Sequence, residues 1–400
     1  MPTRRGWALA GAALGFFVSG YLLKIVELTI LGVVALVLCL SAVALVSTQR
    51  VQVNTSRTLH PPRVHAGSSA RVDLEVYNRG SRRTPVLQVR DPFDRGWRWA
   101  RFLVPPLAAK TSSRAAYRLP TEERGIFDVG PLEIALSDPL GLANATFTSI
   151  GVTQLTVYPR IDLIPPLPTA QGHDPHSGAQ HPRALLGAGE DFYALRPYEI
   201  GDDLRRVHWA STARLDDLMI RQDEMPWQTR STILLDVRAR VHNEASLEIA
   251  VSAAASIQAA SGKSSSLLRL ISTDGTDSGF GMGHAHTESI LEHLATVAAS
   301  RDDRFAGVAA SLRRAGNGGS LAIITTDKSS VADLEGLARL RTRYGTIVIV
   351  LIERGAYETG GPATPRMVLP AVSAVVRVDG AASFAKSWEV AILPVGMARR

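Results

Sequence analysis

The chain has 400 residues, 46% of them hydrophobic, and a formal net charge of +7. That length exceeds one ordinary core, and that composition is too apolar for a disordered chain, so two or three folded units are expected. A single cysteine, Cys39, excludes an internal disulfide framework and any cysteine-built zinc site.

The first 50 residues hold two apolar runs, Trp7 to Leu23 and Val26 to Val46. About 20 apolar residues cross a bilayer. The second run meets that length and the first falls just short of it. Lys24 and Glu27 lie where the chain would turn, at an interface that tolerates polar groups. The pair predicts a transmembrane helical hairpin over 1–50. A cleaved signal peptide starting at Arg4 and Arg5 is the alternative, but a second and longer apolar run directly after it argues against that reading. Arg4 and Arg5 precede the hairpin, and Arg50, Arg57 and Arg63 follow it. Both ends are therefore expected on the cytoplasmic side, with two spans in the cell membrane and the bulk of the chain cytoplasmic. The remaining basic excess reads as a solvated surface, although basic chains also meet nucleic acid or anionic lipid.

Residues 51–161 change pattern. ARVDLEVYN alternates apolar and polar residues, the period of a half-buried strand, and TPVLQVRD, SSRAAYRLP, GPLEIALSD and TQLTVYPR behave alike. Turn residues separate them. Short strands at this spacing predict an antiparallel β-sandwich. No catalytic spacing occurs here, and the unit reads as a spacer or docking module.

Residues 162–230 form a linker followed by a charged segment. Pro165 to Gly189 is rich in Pro, Gly and small polar residues. His173, Asp174, His176 and His181 lie in it without a rigid frame, so a linker is expected there and not a metal site.

Residues 231–400 alternate strands with helices: STILLDV, a helix from Ala245, SLLRLIST, helices over TESILEHLATVAAS and RFAGVAASLRRAG, SLAIITTD, a helix from Val331, and TIVIVLIE. This predicts a doubly wound parallel sheet, an α/β unit beside the all-β one. Ligands of such sheets sit beyond the carboxyl ends of the strands. Asp236, the stretch Ser272 to Asp274, and Thr325, Thr326 and Asp327 fall at those ends.

An Asp after the first strand and Thr-Asp after a later one resemble the von Willebrand factor type A domain. In that domain Asp-x-Ser-x-Ser holds a divalent cation. Here the residues are Asp236, Arg238 and Arg240. A guanidinium has donors and no acceptor, whereas hard cations take oxygen ligands. The expectation is a degenerate metal site of Asp236, Arg238, Arg240, Thr326 and Asp327, with no cation and no cofactor. Asp236 or Asp327 could pair with the arginines instead.

The segment from Gly189 to Glu224 carries more Asp and Glu than Arg, which excludes a phosphate-binding groove and hence a nucleic-acid partner. His208 beside Trp209 could act as a base, but no nucleophile accompanies it, and neither GxSxG nor a P-loop occurs. Interspersed opposite charges predict an ion-pair network that fixes one domain geometry. In it Arg196 and Arg205 donate to Glu190 or Asp202, and Trp209 anchors them by burial.

Glu190 and Phe192 after Gly189, Arg196, Tyr198, Gly201, Asp202, Arg205, the pair His208-Trp209, and Arg214 after Ala213 closely resemble the signature of the bacterial family catalogued as domain of unknown function 58. Glu123 to Leu142 and Val157 to Arg160 resemble its upstream pattern, as does the helix pair. The resemblance implies a type A-like domain after the signature. It also implies a MoxR-type AAA+ ATPase partner, in chaperone-like assembly or maturation. The expected function is thus a non-enzymatic, membrane-tethered scaffold or adaptor. The alternatives are a cation-dependent partner-binding module, or an enzyme using Asp202, Asp203 and His208.

Overall fold

The structure is a computed structural model and describes residues 2–48, 51–94, 96, 98–168, 192–198, 207–215, 217–223, 230–263, 266–315, 319–357 and 369–397. The chain divides into two compact units, one of residues 1–161 with 289–297, the other of 162–288 with 298–400.

The first unit opens with α1 (Arg4–Leu23) and α2 (Val26–Thr48), helices of 20 and 23 residues that are long and apolar enough to cross a membrane. Lys24 turns the chain in a left-handed conformation, φ 57°, and its N–H returns to the Gly20 carbonyl. The two helices touch closely at Gly32. A Cβ there would stand 2.7 Å from the Phe17 nitrogen, so a larger residue would force them apart. Thr3 caps α1 by accepting from Gly6 N at 3.1 Å.

Ten strands follow: β1 (Val53–His60), β2 (Arg63–His65), β3 (Ala70–Asn78), β4 (Leu87–Phe93), β5 (Arg98–Val104), β6 (Ser112–Leu119), β7 (Gly125–Val129), β8 (Leu132–Ser137), β9 (Asn144–Ile150) and β10 (Thr153–Tyr158). One sheet has the order β1-β3-β6. The other runs β2-β10-β7-β4-β8-β9, with β5 paired to β4. The pairing is antiparallel except that β2 lies parallel to β10. Period-two alternation points one face of each sheet inward. Val72, Leu74 and Val76 of β3 share a core with Val89, Ile134, Leu155 and Val157.

Arg57, counted above only as one of the positive charges that follow the hairpin, is held inside the β unit. Its place on β1 is in the inward phase with Val53, Thr55 and Leu59, and its side chain is fully buried. It donates to Asp91 Oδ1 on β4 at 2.7 Å, to the Gly151 carbonyl at 2.6 Å and to Thr153 Oγ1 at 2.8 Å. Tyr117 on β6 donates to the other Asp91 oxygen at 2.7 Å. The pair therefore links a strand of one sheet to a strand of the other.

The hairpin is fastened to this unit. Thr3 N donates to the Leu142 carbonyl at 2.8 Å and Thr3 Oγ1 to the Gly141 carbonyl at 2.7 Å. A Cβ on Gly6 would overlap the Leu142 carbonyl oxygen. Ala42 and Val46 of α2 pack with Leu142 and Ala143.

The second unit begins with an antiparallel ribbon, β11 (Phe192–Pro197) and β12 (Met219–Asp223), separated in sequence by α3 (Trp209–Leu215). Then come β13 (Arg230–Leu235), α4 (Glu244–Gly262), β14 (Leu267–Ser272), α5 (Gly283–Thr296, of which residues 289–296 count with the first unit), α6 (Phe305–Ala315), β15 (Ser320–Thr326), α7 (Val331–Ala338), β16 (Thr346–Ile352), β17 (Ala374–Val378) and α8 (Phe384–Met397). The sheet order is β14-β13-β15-β16-β17, all parallel. Every residue of β15 and β16 is buried, as befits strands covered on both faces. Residues 165–168, expected to begin a linker, are held on this unit instead. Trp388 Nε1 donates to the Pro165 carbonyl at 2.9 Å, and Ser320 Oγ to the Pro168 carbonyl at 2.5 Å. The histidines at 173, 176 and 181, with Asp174, lie outside the described residues.

Candidate functional site

The chain leaves β13 toward β14 on one side, then crosses back to β15 on the other. Adjacent strands whose connections depart in opposite directions open a crevice at their carboxyl ends, and β13 and β15 are that pair. Asp236 follows β13, Thr273 follows β14, and Thr325 is the last residue but one of β15.

Arg238 fills the crevice. Its Nε donates to Asp236 Oδ1 at 2.9 Å and one terminal nitrogen to Oδ2 at 2.7 Å, a two-pronged pair. The other terminal nitrogen reaches Asp333 in the first turn of α7 at 2.9 Å, while the nitrogen bonded to Oδ2 also donates to Ser329 Oγ at 3.2 Å. The guanidinium lies 4.5 Å from the Phe305 ring centroid, within the range of a cation–π contact. Thr325 Oγ1 donates to Asp236 at 2.8 Å and Thr273 Oγ1 at 3.2 Å, while Arg238 N adds a bond of 3.2 Å. Asp236, Arg238, Thr273 and Thr325 are all buried. Burial alone would raise the Asp236 carboxyl, but Arg238 and Thr325 outweigh it and hold the group below the ordinary carboxylate value.

This donor set does not fit a divalent cation. Both Asp236 oxygens already accept from the guanidinium, and the guanidinium supplies no acceptor.

The other expected site residues are placed differently. Thr326 Oγ1 donates to the Val241 carbonyl at 2.9 Å. Asp327 accepts from Arg354 N at 3.0 Å, and its other oxygen lies 3.9 Å from Lys328 Nζ. Neither is among the Asp236 donors; Thr325 takes the place expected of Thr326. Arg240 turns outward to Asp303 at 2.6 Å. Behind the crevice, His242 is buried with Nδ1 at 3.2 Å from Ser246 Oγ, and burial pulls its pKa down to about 4. Sequence reasoning missed Thr273 as an Asp236 partner, and missed Phe305, Ser329 and Asp333 altogether. The helix from Val331 was read, and Ser330 before it, an N-cap whose Oγ accepts from Asp333 N, marks Asp333 as part of its first turn, but nothing pointed Asp333 to Arg238.

The charged segment is described only in part. Glu190, Gly201, Asp202, Asp203 and Arg205 lie outside the described residues. Phe192 and Arg196 stand on β11, where Arg196 pairs in register with Ile220. Tyr198 N donates to the Leu218 carbonyl and His208 N to the Met219 carbonyl, at 2.7 and 2.8 Å, which draws the two ends of the segment together. His208 Nδ1 meets Ser211 Oγ at 2.9 Å at the start of α3. Trp209, expected to anchor by burial, is 69% exposed, and Arg214 is exposed too.

Residues 194–358 match the family described as "Protein of unknown function DUF58", which supports the family reading of the charged segment and the α/β unit. No curated protein matches the chain. Among solved structures, the CARDB domain of a Pyrococcus furiosus protein shares 14% identity over 27% of this chain and 93% of that one, with a TM-score of 0.22. A β-glucosidase from Listeria innocua shares 16% over 27% of this chain and 16% of its own, TM-score 0.19. β-Glucosidase 3B from Thermotoga neapolitana shares 16% over 26% and 17%, TM-score 0.16. Likenesses of that size carry no conclusion about fold or activity.

Proposed function

We propose that this chain is a membrane-tethered scaffold that works by binding a partner, without a catalytic centre of its own. In this reading α1 and α2 span the membrane, the ten-stranded region is a β-sandwich, and the C-terminal region is a type A-like domain, with the bulk of the chain cytoplasmic. The partner that the family resemblance implies is a MoxR-type AAA+ ATPase, acting in protein assembly or maturation. One observation carries the reading. The crevice where a doubly wound sheet holds its ligand is filled by the buried Asp236–Arg238 pair. A guanidinium there gives fixed positive charge and leaves neither a metal-activated water nor a free carboxylate base. His208, the histidine of the enzymatic alternative, is engaged with Ser211 at a helix start.

The test is co-purification of the full chain in detergent with such an ATPase, in its ATP-bound, ADP-bound and empty states. Capture that changes with nucleotide supports the scaffold. No capture in any state removes the partner. Saturable heat on titrating magnesium or manganese, abolished by Asp236→Ala, would favour the cation-dependent module instead.

A further inference from the structure

Three loops converge on the end of the β unit where the hairpin enters. The register brings Val53 opposite Asn78, Tyr77 opposite Ser112, Leu87 opposite both Val104 and Leu136, and Ser137 opposite Asn144. Loops 79–86, 105–111 and 138–143 therefore share one end. Asn78 ties two of them together by donating to the carbonyls of Arg82, Leu107 and Ala108 at 2.8, 3.1 and 3.1 Å. Arg79 N takes the Gln52 carbonyl, just past α2, and Thr3 takes the third loop at Leu142.

The chemistry of this end is one-sided. Arg79, Arg82, Arg83 and Lys110 are exposed on it. Its one acid, Asp138, is buried and accepts from Leu140 N at 2.9 Å and Ala143 N at 2.6 Å. Lys110 Nζ bonds the Arg79 carbonyl, and Arg83 Nε faces the Pro106 carbonyl at 3.4 Å. Among the described residues none of the four cations makes an ion pair. The same end also carries exposed apolar side chains: Val86, 47%; Leu103, 68%; Leu140, 58%. Arg4 and Arg5, exposed at the start of α1, and Trp7 adjoin the same end.

Depth follows from helix length. A 20-residue helix fills about 30 Å, the thickness of the hydrocarbon core. If α1 spans, its first turn lies at one edge of that core, and the 138–143 loop bonded to Thr3 lies among the headgroups. We propose that this end of the β unit is a lipid-docking surface. Arg79, Arg82, Arg83 and Lys110 bind anionic headgroups, and Val86, Leu103 and Leu140 sit at the edge of the acyl region. Lys and Arg near a charged leaflet attract it, and the attraction fades over a Debye length. The inference goes beyond the scaffold reading but rests on the hairpin being in a bilayer.

The test uses full-length protein with Cys39→Ser and one nitroxide-labelled cysteine, at Val86 or, as the far-end control, at Glu122. It is reconstituted in phosphatidylcholine vesicles with and without phosphatidylglycerol. The Val86 label should be shielded from a water-soluble relaxant more strongly in the anionic vesicles than in phosphatidylcholine alone, and salt should remove the difference. The Glu122 label should stay accessible throughout. Arg82→Glu with Arg83→Glu should shift the docked population at least fivefold per side chain, roughly what each basic residue contributes at such a surface. The salt titration of the unaltered surface gives the same answer if that variant misfolds. Alkali release of the chain would overturn the hairpin and this inference together. Retention with Val86 equally accessible in both lipids would overturn this inference alone.

Discussion

The β unit and the α/β unit each bury an arginine–carboxylate pair, and the two are balanced in opposite directions. Asp91 accepts side-chain bonds from Arg57 and Tyr117, and burial still lifts its carboxyl above the ordinary value. Asp236 accepts from Arg238 through three nitrogens and from two threonine hydroxyls, and its carboxyl stays low despite burial. Arg57 Nε has no hydrogen-bond partner, whereas Arg238 uses Nε and both terminal nitrogens. What decides the sign is the number of donors aimed at the carboxylate, since desolvation opposes the charge in both places. Linkage then splits the units. Asp91 has a raised pKa, so its contribution is present in acid and lost as pH rises through that value. Asp236 has a lowered pKa, so its contribution is present above the unfolded value and lost as pH falls through the folded one.

The sharpest way to break this comparison is single truncation. Arg238→Ala strands the Asp236 carboxylate, and Asp91→Ala strands the Arg57 guanidinium. Each should cost about 3–5 kcal/mol. Hydrogen exchange should localise the losses, to β13 and β15 in the first variant and to β1 and β4 in the second. Unchanged exchange in either place would mean that the pair there is not energetically buried.

Acid separates the units next. His242 is neutral in the fold, with a pKa of about 4, and binds its proton near 6.5 once unfolded. Stability of the α/β unit should therefore fall by about 3 kcal/mol as pH drops from 6.5 to 4. Asp236 adds to that loss below about 4. His242→Gln should flatten the first part of the curve. An α/β unit whose exchange is indifferent to pH over that window would contradict the burial of the ring.

Double replacement tests the role of the extra donors. Arg57→Met with Asp91→Leu strands one hydroxyl, that of Tyr117, and should cost no more than about 1 kcal/mol, because removing the buried ion pair itself is close to neutral. The same exchange at Asp236 and Arg238 should be destabilising by about 1–3 kcal/mol, because the Thr273 and Thr325 hydroxyls lose their acceptor. Thermal melts of both doubles, read by exchange, would show equal losses if donor number were irrelevant. The smallest effect belongs to Arg240→Ala. That pair is short, but its side chains are 62% and 42% exposed, so its loss should stay under about 1 kcal/mol in the same melts.

Much of this was written locally in the sequence. The alternation of ARVDLEVYN returns as β3 with the same bounds, and the apolar runs return as α1 and α2. The period-two phase also marked Arg57 as inward, between Thr55 and Leu59, but its place after the apolar helices made it read as a flanking charge. Several strands went unread, β1, β2, β7, β9, β11 and β12 among them, and so did β5 and β17. β5 presents Arg98, Trp99 and Arg101 outward along one edge pairing, and β17 is only five residues long. At the site, the strand-end positions of Asp236 and Thr325 were readable from the doubly wound pattern. Phe305, Ser329 and Asp333 were not. They reach Arg238 from later elements, and no spacing in the chain encodes which helix start faces which strand end.

The joint between Thr3, Gly6 and Leu142 has a mechanical consequence. A tether through a loose segment would let the domain swivel and would absorb a pull as slack. Here the first turn of α1 is hydrogen-bonded to the β8–β9 loop, and Gly6 leaves no gap at the carbonyl. The α2 side packs on the same loop. Hairpin and β unit thus form a stiff lever, and force applied to the β unit reaches the helices as tilt with little lost on the way. Gly6→Leu would pry that joint open and turn the lever into a hinge.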